Sequence, residues 1–290
     1  MPASQYASVL KDKVAIVTGA ASGMGKLLVE QLVACGAQVL LVDISPTLQQ
    51  LADELNSRRE KSAEWLTCDL CQTQTIQEAL ECAVGHFGHV DIVVNNAGII
   101  NKASLFQQPD HADLERVMRV NLIAPMEGTR IAVRYFQSTG RRGVILNTAS
   151  VAGLTPTSFM ETYGTSKAGL LFFTAACKDL APLVRVNAVA PYFVDTPLVS
   201  GSAVLNERPM LLKFGMLQPE QVVDAMLQAI CDESLAGDTL VVYSNRDPVR
   251  LTMYDDQALS VVSGIAMGVL GKLHASVGRV VSAISRKVMG

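Results

Sequence analysis

Apolar and polar positions along the first 244 residues of the chain alternate in blocks. Short runs rich in Val, Ile and Leu are separated by longer stretches in which apolar residues recur at helical spacing. A continuous apolar run is typical of a strand that is buried on both faces of a parallel sheet. The runs predict seven strands, at residues 13–18, 38–42, 64–67, 91–95, 143–147, 184–189 and 238–244.

The stretches between these strands predict helices at 23–35, 47–57, 73–87, 110–137, 160–178 and 219–231. Pro125 lies inside the fourth of them, where we expect it to kink the helix. Strands that alternate with helices in this way indicate a doubly wound parallel sheet with helices on both faces, a Rossmann fold. We therefore predict one seven-stranded α/β domain over residues 1–250.

The remainder of the chain, residues 251–290, has a different pattern. Its apolar residues recur every three or four positions and four glycines interrupt them, which predicts a C-terminal helical extension. Two interpretations remain open. The helix either docks on the body or a partner subunit, or it lies on a membrane surface, with basic residues near its end.

Composition narrows the class of protein. The chain is 49% hydrophobic and 18% charged, which excludes disorder, and its net charge of −3 gives no basic surface for nucleic acid. No secretory signal and no membrane-spanning run is visible, so we expect a soluble, cytoplasmic protein. Cys68 and Cys71 form a C-x-x-C pair without a second pair or a His cluster, so we predict reduced thiols and no metal site.

A glycine-rich turn, Thr18 to Gly25, joins the first predicted strand to the first predicted helix. Gly19 permits a tight turn, while Gly23 and Gly25 remove side chains where a phosphate would approach the helix N-terminus. The spacing G-x-x-x-G-x-G differs from the G-x-G-x-x-G dehydrogenase fingerprint. A strand before the turn and a helix after it nevertheless favour a dinucleotide site.

Asp43 ends the second predicted strand, where an acidic side chain can accept both ribose hydroxyls of the adenosine. The same carboxylate would repel a 2′-phosphate, and no Lys or Arg occurs between Lys26 and Arg58 to receive one. We therefore predict NAD rather than NADP as the cofactor.

Tyr163 and Lys167 lie four residues apart in a predicted helix, so the phenol and the ammonium group share one face. A nearby cation favours the phenolate, and we expect it to lower the pKa of the tyrosine toward neutrality. A phenol with such a pKa can exchange a proton with an alcohol or a carbonyl.

Together these residues resemble the classical short-chain dehydrogenase/reductase (SDR) family over residues 13–244. The likeness extends to Asp69, Asn95 to Gly98, Asn121, Ser150 and Pro191 to Thr196. Ser150 precedes Tyr163 by 13 residues, which matches the family spacing. Several ordered motifs at matching intervals make this resemblance specific.

The resemblance implies a role for each matching residue. Tyr163 would be the general acid and base, Lys167 would lower its pKa and hold the nicotinamide ribose, and Ser150 would bind the substrate oxygen. Asn121 would hold a helix distortion and a water that links Lys167 to solvent. The implied cofactor-binding residues are Gly19, Ser22, Gly23, Met24, Gly25, Asp43, Asp69, Leu70, Asn96, Tyr163, Lys167, Val194 and Thr196.

The chain departs from the family pattern at Tyr192, where the family usually has glycine after Pro191. We expect this ring to change the shape of the substrate pocket or to stack on the substrate. The stretch 197–218, which covers the substrate in the family, is rich in Leu, Val and Met, as are Leu154, Phe159 and Met160. These residues favour a lipophilic substrate, although they would also suit packing or a subunit interface.

We therefore predict an NAD-dependent enzyme that interconverts a hydrophobic secondary alcohol and its ketone. Oxidation of a terpenoid, steroid-like or other secondary-metabolite substrate is the favoured reaction, and the fungal character of the stretch from Pro191 to Leu198 suggests secondary metabolism. The alternatives are an NADPH-dependent ketoreductase or redox-neutral isomerase on the same fold, and an NAD-sensing binding protein. The resemblance also implies a homodimer or homotetramer built through the helices that begin near Asp110 and Met160.

Overall fold

The computed structural model describes residues 3–72, 74–107, 111–202, 216–243 and 247–253. The chain divides into two compact units, residues 1–251 and 252–290, and only residues 252 and 253 of the second lie within these ranges. The predicted C-terminal helix and its membrane contact therefore lie outside the described residues, as does most of the predicted substrate-covering stretch. They stay predictions.

The strands form one sheet, and the pairs whose register is defined are parallel. The strands are Val14–Thr18 (β1), Gln38–Asp43 (β2), Ala63–Thr67 (β3), Ile92–Asn95 (β4), Gly143–Thr148 (β5), Val184–Pro191 (β6), Asp238–Val242 (β7) and Val249–Thr252 (β8). The order in the sheet is β3-β2-β1-β4-β5-β6-β7-β8, so the chain reverses direction across the sheet between β1 and β4. The doubly wound parallel fold is as predicted.

An eighth strand, β8, was not among the seven expected from the sequence. It lies at the edge of the sheet beside β7 and its side chains are largely exposed. It therefore lacks the continuous apolar run by which the buried strands can be recognised.

Helices cover both faces of the sheet. The described helices are Ala7–Leu10 (α1), Gly23–Ala34 (α2), Leu48–Arg58 (α3), Thr75–Phe87 (α4), Ala112–Met118 (α5), Ala124–Thr139 (α6), Glu161–Ala176 (α7), Pro197–Ser200 (α8) and Pro219–Cys231 (α9). In β1, Ala15 and Val17 face the layer of α2, α3 and α9, while Val14 and Ile16 face the layer of α4 and α6.

The predicted helix over 110–137 is interrupted close to Pro125. A turn of π-helix, Arg119–Ile123, separates α5 from α6. Pro125 lies in the first turn of α6, directly after the π-turn, where it removes one N–H from the continuing helical hydrogen bonds. The distortion therefore centres on Asn121, the residue for which the family resemblance implied it.

The carboxyl ends of β1, β4 and β5 lie side by side at the point where the strand order reverses. In open parallel sheets, ligands bind in the crevice at this switch point. No helix in the described part of the chain is long and apolar enough to cross a membrane.

Candidate active site

A cavity of about 620 Å³ opens at the carboxyl ends of these strands. It is lined by residues between Gly19, just after β1, and Val199 in α8, and by Tyr243 after β7, so it extends across the switch point of the sheet. All but one of the predicted site residues line it: Gly19, Ser22, Gly23, Met24, Gly25, Asp43, Asp69, Leu70, Asn96, Ser150, Tyr163, Lys167, Val194 and Thr196. Asn121 is fully buried behind the wall.

The glycine turn forms the closest-packed part of the cavity. Gly19 and Gly23 have φ values of +66° and +51°, which side chains rarely adopt. A Cβ atom on Gly25 would lie 2.0 Å from the carbonyl oxygen of Gly19, so only glycine fits there. Because Ser22 to Gly25 begin α2 and line the cavity, the free N–H groups of this helix are available to an anion.

Asn96 fixes the turn to the neighbouring strand. Its Nδ2 atom donates to the carbonyl oxygens of Thr18 at 2.9 Å and Gly19 at 3.3 Å. In return, the Thr18 hydroxyl accepts the N–H groups of Asn96 and Ala97 at 3.0 and 3.1 Å. The side chain that the resemblance assigned to cofactor binding thus also ties β4 to β1.

Asp43 ends β2 at the far end of the cavity. Its two carboxylate oxygens accept the N–H groups of Ala21, at 2.9 Å, and Ser45, at 3.0 Å. These bonds fix the orientation of the carboxylate while leaving lone pairs on both oxygens. Asp43 can therefore accept hydroxyl groups from a ligand in the cavity.

Lys167 projects from α7 into the middle of the site and is 3% exposed. Its Nζ atom donates to the carbonyl oxygen of Thr148 at 2.7 Å and lies 5.7 Å from the centre of the Tyr163 ring. Burial lowers the pKa of Lys167 to about 8. At pH 7 the ammonium form still predominates, so a cation lies beside the phenol.

Tyr163 and Ser150 both line the cavity and lie within hydrogen-bonding distance of each other. Burial raises the pKa of Tyr163, and a side-chain hydrogen bond with Ser150 opposes this rise. Overall, the pKa of Tyr163 is therefore raised, which is opposite to the lowering expected from the neighbouring lysine. The difference arises because the sequence pattern shows the cation but does not show the loss of water around the ring.

Asn121 connects the π-turn to the segment after β4. Its Oδ1 atom accepts the N–H of Ile99 at 2.9 Å, and its Nδ2 atom donates to the carbonyl oxygen of Ile99 at 2.8 Å and to Ser166 Oγ at 3.2 Å. A Cβ atom on Gly98 would lie 3.4 Å from Lys167 Nζ and 3.5 Å from Asn121 Oδ1. Asn121 therefore supports the wall next to the lysine rather than lining the cavity.

The wall around Tyr163 is apolar. Met160, Tyr163 and Val199 form a buried cluster, against which Ile100 and Phe193 pack. All five side chains line the cavity. Of the other residues that suggested a lipophilic substrate, Phe159 packs against this cluster from behind, while Leu154 packs against a neighbouring core cluster.

Tyr192, the departure from the family pattern, also lines the cavity. Its ring meets that of Phe193 edge to face, with centroids 4.9 Å apart and planes at 79°. Its N–H bonds the carbonyl oxygen of Val242, so its backbone is fixed to β7. An aromatic pair occupies the position next to Pro191.

Cys68 and Cys71 are free thiols, and both line the cavity near Asp69. Burial raises the pKa of Cys68 to about 12, which keeps it protonated and unreactive at neutral pH. Among the described residues, no group of three or more His, Cys, Asp or Glu side chains is arranged to hold a metal ion.

Sequence reasoning missed several residues of this site. The acceptor for Lys167 is the main-chain carbonyl of Thr148, and a main-chain group leaves no signal in a side-chain motif. Ile44, Arg116 and Val120 also line the cavity. Ile44 and Val120 are sequence neighbours of Asp43 and Asn121, which could have indicated their place, whereas Arg116 reaches the cavity from α5.

These residues fit a nicotinamide dinucleotide. The glycines of the turn leave room for the pyrophosphate at the start of α2, and Asp43 can accept the adenosine ribose hydroxyls. Val194, Thr196 and Lys167 line the opposite end, where the nicotinamide and its ribose would lie.

Comparisons with known proteins agree with this geometry. The family model described as short chain dehydrogenase matches residues 13–204. The chain is 30% identical to mouse (Mus musculus) 15-hydroxyprostaglandin dehydrogenase [NAD(+)], covering 87% of this chain and 97% of that protein. It is 35% identical to 3beta-hydroxysteroid dehydrogenase 2 of Eggerthella lenta, over 72% and 82% of the two chains.

Solved structures give the same result. A short-chain type dehydrogenase/reductase from Mycobacterium marinum superposes with a TM-score of 0.74 at 29% identity, covering 82% of this chain and 97% of that one. Fold, motifs and relatives therefore agree. The chain belongs to the short-chain dehydrogenase/reductase family and is an NAD(P)-dependent oxidoreductase that acts on CH–OH groups.

Proposed function

We propose that the protein oxidises a hydrophobic secondary alcohol to its ketone with NAD. One observation carries this proposal: Ser150, Tyr163 and Lys167 meet in a single cavity whose wall beside the tyrosine is apolar. A polar triplet within an apolar wall suits a substrate with one hydroxyl group on a lipophilic body.

In this reaction the nicotinamide, when bound, would accept a hydride from the carbinol carbon. Tyr163 would take the hydroxyl proton, and Ser150 would hold the same oxygen by a hydrogen bond. Lys167 would supply the positive charge that opposes the effect of burial on the phenol. Asn121 would keep the adjoining segment in place through its two bonds to Ile99.

The preference for NAD over NADP rests on Asp43. Its carboxylate is oriented by two N–H groups and lines the cavity, where it would repel a 2′-phosphate. The name of the mouse relative, which specifies NAD(+), supports the same choice.

The substrate class is proposed from the apolar wall and from Tyr192. Its ring, which meets that of Phe193 edge to face, adds an aromatic surface against which a fused-ring or unsaturated body could pack. Two relatives, named as hydroxyprostaglandin and hydroxysteroid dehydrogenases, support a lipophilic alcohol. Terpenoid, steroid-like and other secondary-metabolite alcohols are therefore the compounds to test.

The test is NADH fluorescence on mixing the protein with NAD and a panel of hydrophobic secondary alcohols. We expect wild-type turnover, and we expect Tyr163→Phe to lose at least about 100-fold in kcat, because general acid–base catalysis contributes that much. The variant should still bind NAD. Turnover unchanged in Tyr163→Phe would refute the mechanism, and tighter binding of NADP than NAD would refute the argument from Asp43.

We also propose that the protein is a homo-oligomer, as expected from the family resemblance. Phe172 on α7 supports this, because 70% of a large apolar side chain is exposed there. A cytoplasmic location and a role in secondary metabolism stay predictions.

A further inference from the structure

Two apolar side chains, Ile100 and Met160, belong to the cluster around Tyr163 and line the cavity. Ile100 lies in the segment after β4, and Met160 immediately precedes α7. These parts of the chain are 60 residues apart in sequence, so their separation must be set by contacts between the two segments. In each case the next residue, Asn101 or Glu161, is polar.

Asn101 provides the first of these contacts. It is 2% exposed, and its Nδ2 atom donates to the carbonyl oxygen of Phe159 at 2.9 Å and to that of Ala103 at 2.8 Å. The side chain that follows Ile100 is therefore bonded to the residue that precedes Met160.

Glu161 provides the reciprocal contact from the other segment. Its Oε1 atom accepts the Ser104 hydroxyl at 3.1 Å and the N–H of Phe159 at 2.8 Å, and its Oε2 atom accepts the N–H of Leu105 at 3.3 Å. Burial alone would raise the pKa of Glu161, but these N–H and O–H donors hold it below its usual value. The carboxylate therefore remains charged at neutral pH, and charge-assisted hydrogen bonds are the stronger kind.

Phe159 lies where the two contacts meet, and its backbone is strained. Its φ is +64°, a left-handed value that is unfavourable for a residue with a large side chain. Its N–H is bound by Glu161 and its carbonyl by Asn101. Strained backbone persists where the surroundings over-determine it, and here the buried Asn101 and the half-buried Glu161 do so.

We propose that Asn101 and Glu161 form a clasp that fixes the spacing of Ile100 and Met160 and so selects the size of the alcohol beside Tyr163. In this clasp Glu161 is a positioning residue, because it acts through Met160 and does not line the cavity. The inference rests on the proposed function, since it assigns a selectivity to the same site.

The first test compares wild type with Glu161→Gln and Glu161→Ala, using androsterone as the bulky alcohol and cyclohexanol as the small one. We expect the KM for androsterone to rise about tenfold in Glu161→Ala and by less in Glu161→Gln, which keeps one acceptor oxygen. The KM for cyclohexanol, the kcat for both and the Kd for NAD should change less than about twofold. An equal loss for both alcohols would overturn the proposal.

The second test examines the strained residue with a matched pair, Phe159→Gly and Phe159→Ala. Both remove the ring, but only glycine adopts a φ of +64° without strain. We expect the glycine variant to have the higher Tm and both variants to have a raised KM for androsterone. A higher Tm for the alanine variant would show that the left-handed backbone is absent.

A binding measurement separates this proposal from the proposed function. Androstanedione and cyclohexanone can be titrated into the protein with bound NADH, and the fluorescence of NADH reports binding without turnover. If wild type binds the ketones but oxidises no alcohol, the proposed function fails while the Glu161 comparison still decides the clasp. If Glu161→Ala binds androstanedione as tightly as wild type does, the clasp fails alone.

Discussion

At the scale of single residues, Lys167 combines two properties that oppose each other. It is a cation, and it is buried with the carbonyl oxygen of Thr148 as its hydrogen-bond acceptor. Burial lowers its pKa from 10.5 to about 8, so the folded protein holds this proton less tightly than the unfolded chain. Its protonation is therefore linked to the stability of the fold.

This linkage predicts how stability depends on pH. Below about pH 8, Lys167 is charged in both states and the full cost of burying it is present. Between about pH 8 and 10.5 the unfolded chain binds more protons, so the stability contributed by this residue rises with pH. Over this range we expect the free energy of unfolding of the wild type to rise by up to about 3 kcal/mol relative to that of Lys167→Met, since one pKa unit corresponds to about 1.4 kcal/mol.

Urea unfolding of both proteins at pH 7.5, 9 and 10 would measure this difference, roughly spanning the window between the two pKa values. The comparison with Lys167→Met removes the contribution of the cysteines and tyrosines, which also titrate there. A difference that stays constant or falls as pH rises would contradict the prediction.

Residues whose side chains act on a ligand could be predicted from the sequence, because motifs record side chains. Ser150, Tyr163 and Lys167 meet in one cavity for this reason. The direction of the Tyr163 pKa could not be predicted, because it depends on how completely α7 and its surroundings exclude water from the ring. Burial of this kind is a property of the packed structure and not of the local sequence.

At the scale of elements, the turn before α2 leads to a prediction about two glycines. A Cβ atom on Gly25 would lie 2.0 Å from the Gly19 carbonyl oxygen and 2.6 Å from Asn96 Nδ2, whereas one on Gly85 in α4 would have no atom within 4 Å. We expect Gly25→Ala to weaken NAD binding at least about tenfold. We also expect it to lower the free energy of unfolding by about 2 kcal/mol, because overpacking costs ~1–3 kcal/mol.

Gly85→Ala is the control, and alanine should stabilise this helix by about 0.5–1 kcal/mol without changing NAD affinity. Both proteins can be compared by urea unfolding and by fluorescence titration with NADH. Normal NADH affinity in Gly25→Ala would show that the turn can rearrange and would remove it from the cofactor site.

Elements were predictable where a single apolar pattern determined them. The buried strands and most helix boundaries agree with expectation to within a few residues, while β8 was not expected. The helix distortion at Asn121 was expected from the family resemblance and not from the apolar pattern. Another unpredicted contact joins β6 to the end of α9, where the buried Arg185 guanidinium donates to the carbonyl oxygens of Ala229, Ile230, Asp232 and Leu235. In the sequence, this arginine only interrupts an apolar run, so its role becomes visible once α9 is in place.

At the scale of the whole molecule, exposed apolar surface predicts assembly. Phe172 on α7 is 70% exposed. Val9 on α1, which is 48% exposed, is the control because α1 is not one of the helices expected at the interface. If α7 packs across a two-fold axis, a charge at Phe172 would be buried without a partner and would separate the subunits. We expect Phe172→Glu to be monomeric and Val9→Glu to retain the mass of the wild type.

Multi-angle light scattering after size-exclusion chromatography would measure these masses directly. A monomeric wild type would contradict the proposed homo-oligomer. An oligomeric Phe172→Glu would place the subunit interface elsewhere on the surface.

The neighbours of β1 also have a consequence for synthesis on the ribosome. β1 is fully buried between β2 and β4, and the residues it pairs with on β4 lie about 77 positions further along the chain. At about 5–20 residues per second, β4 emerges roughly 4–15 seconds after β1. During that interval one edge of an apolar strand lacks its partner, and such an edge is where a nascent chain aggregates. Slowed translation between β1 and β4 would therefore reduce the yield of folded protein more than a pause after β4.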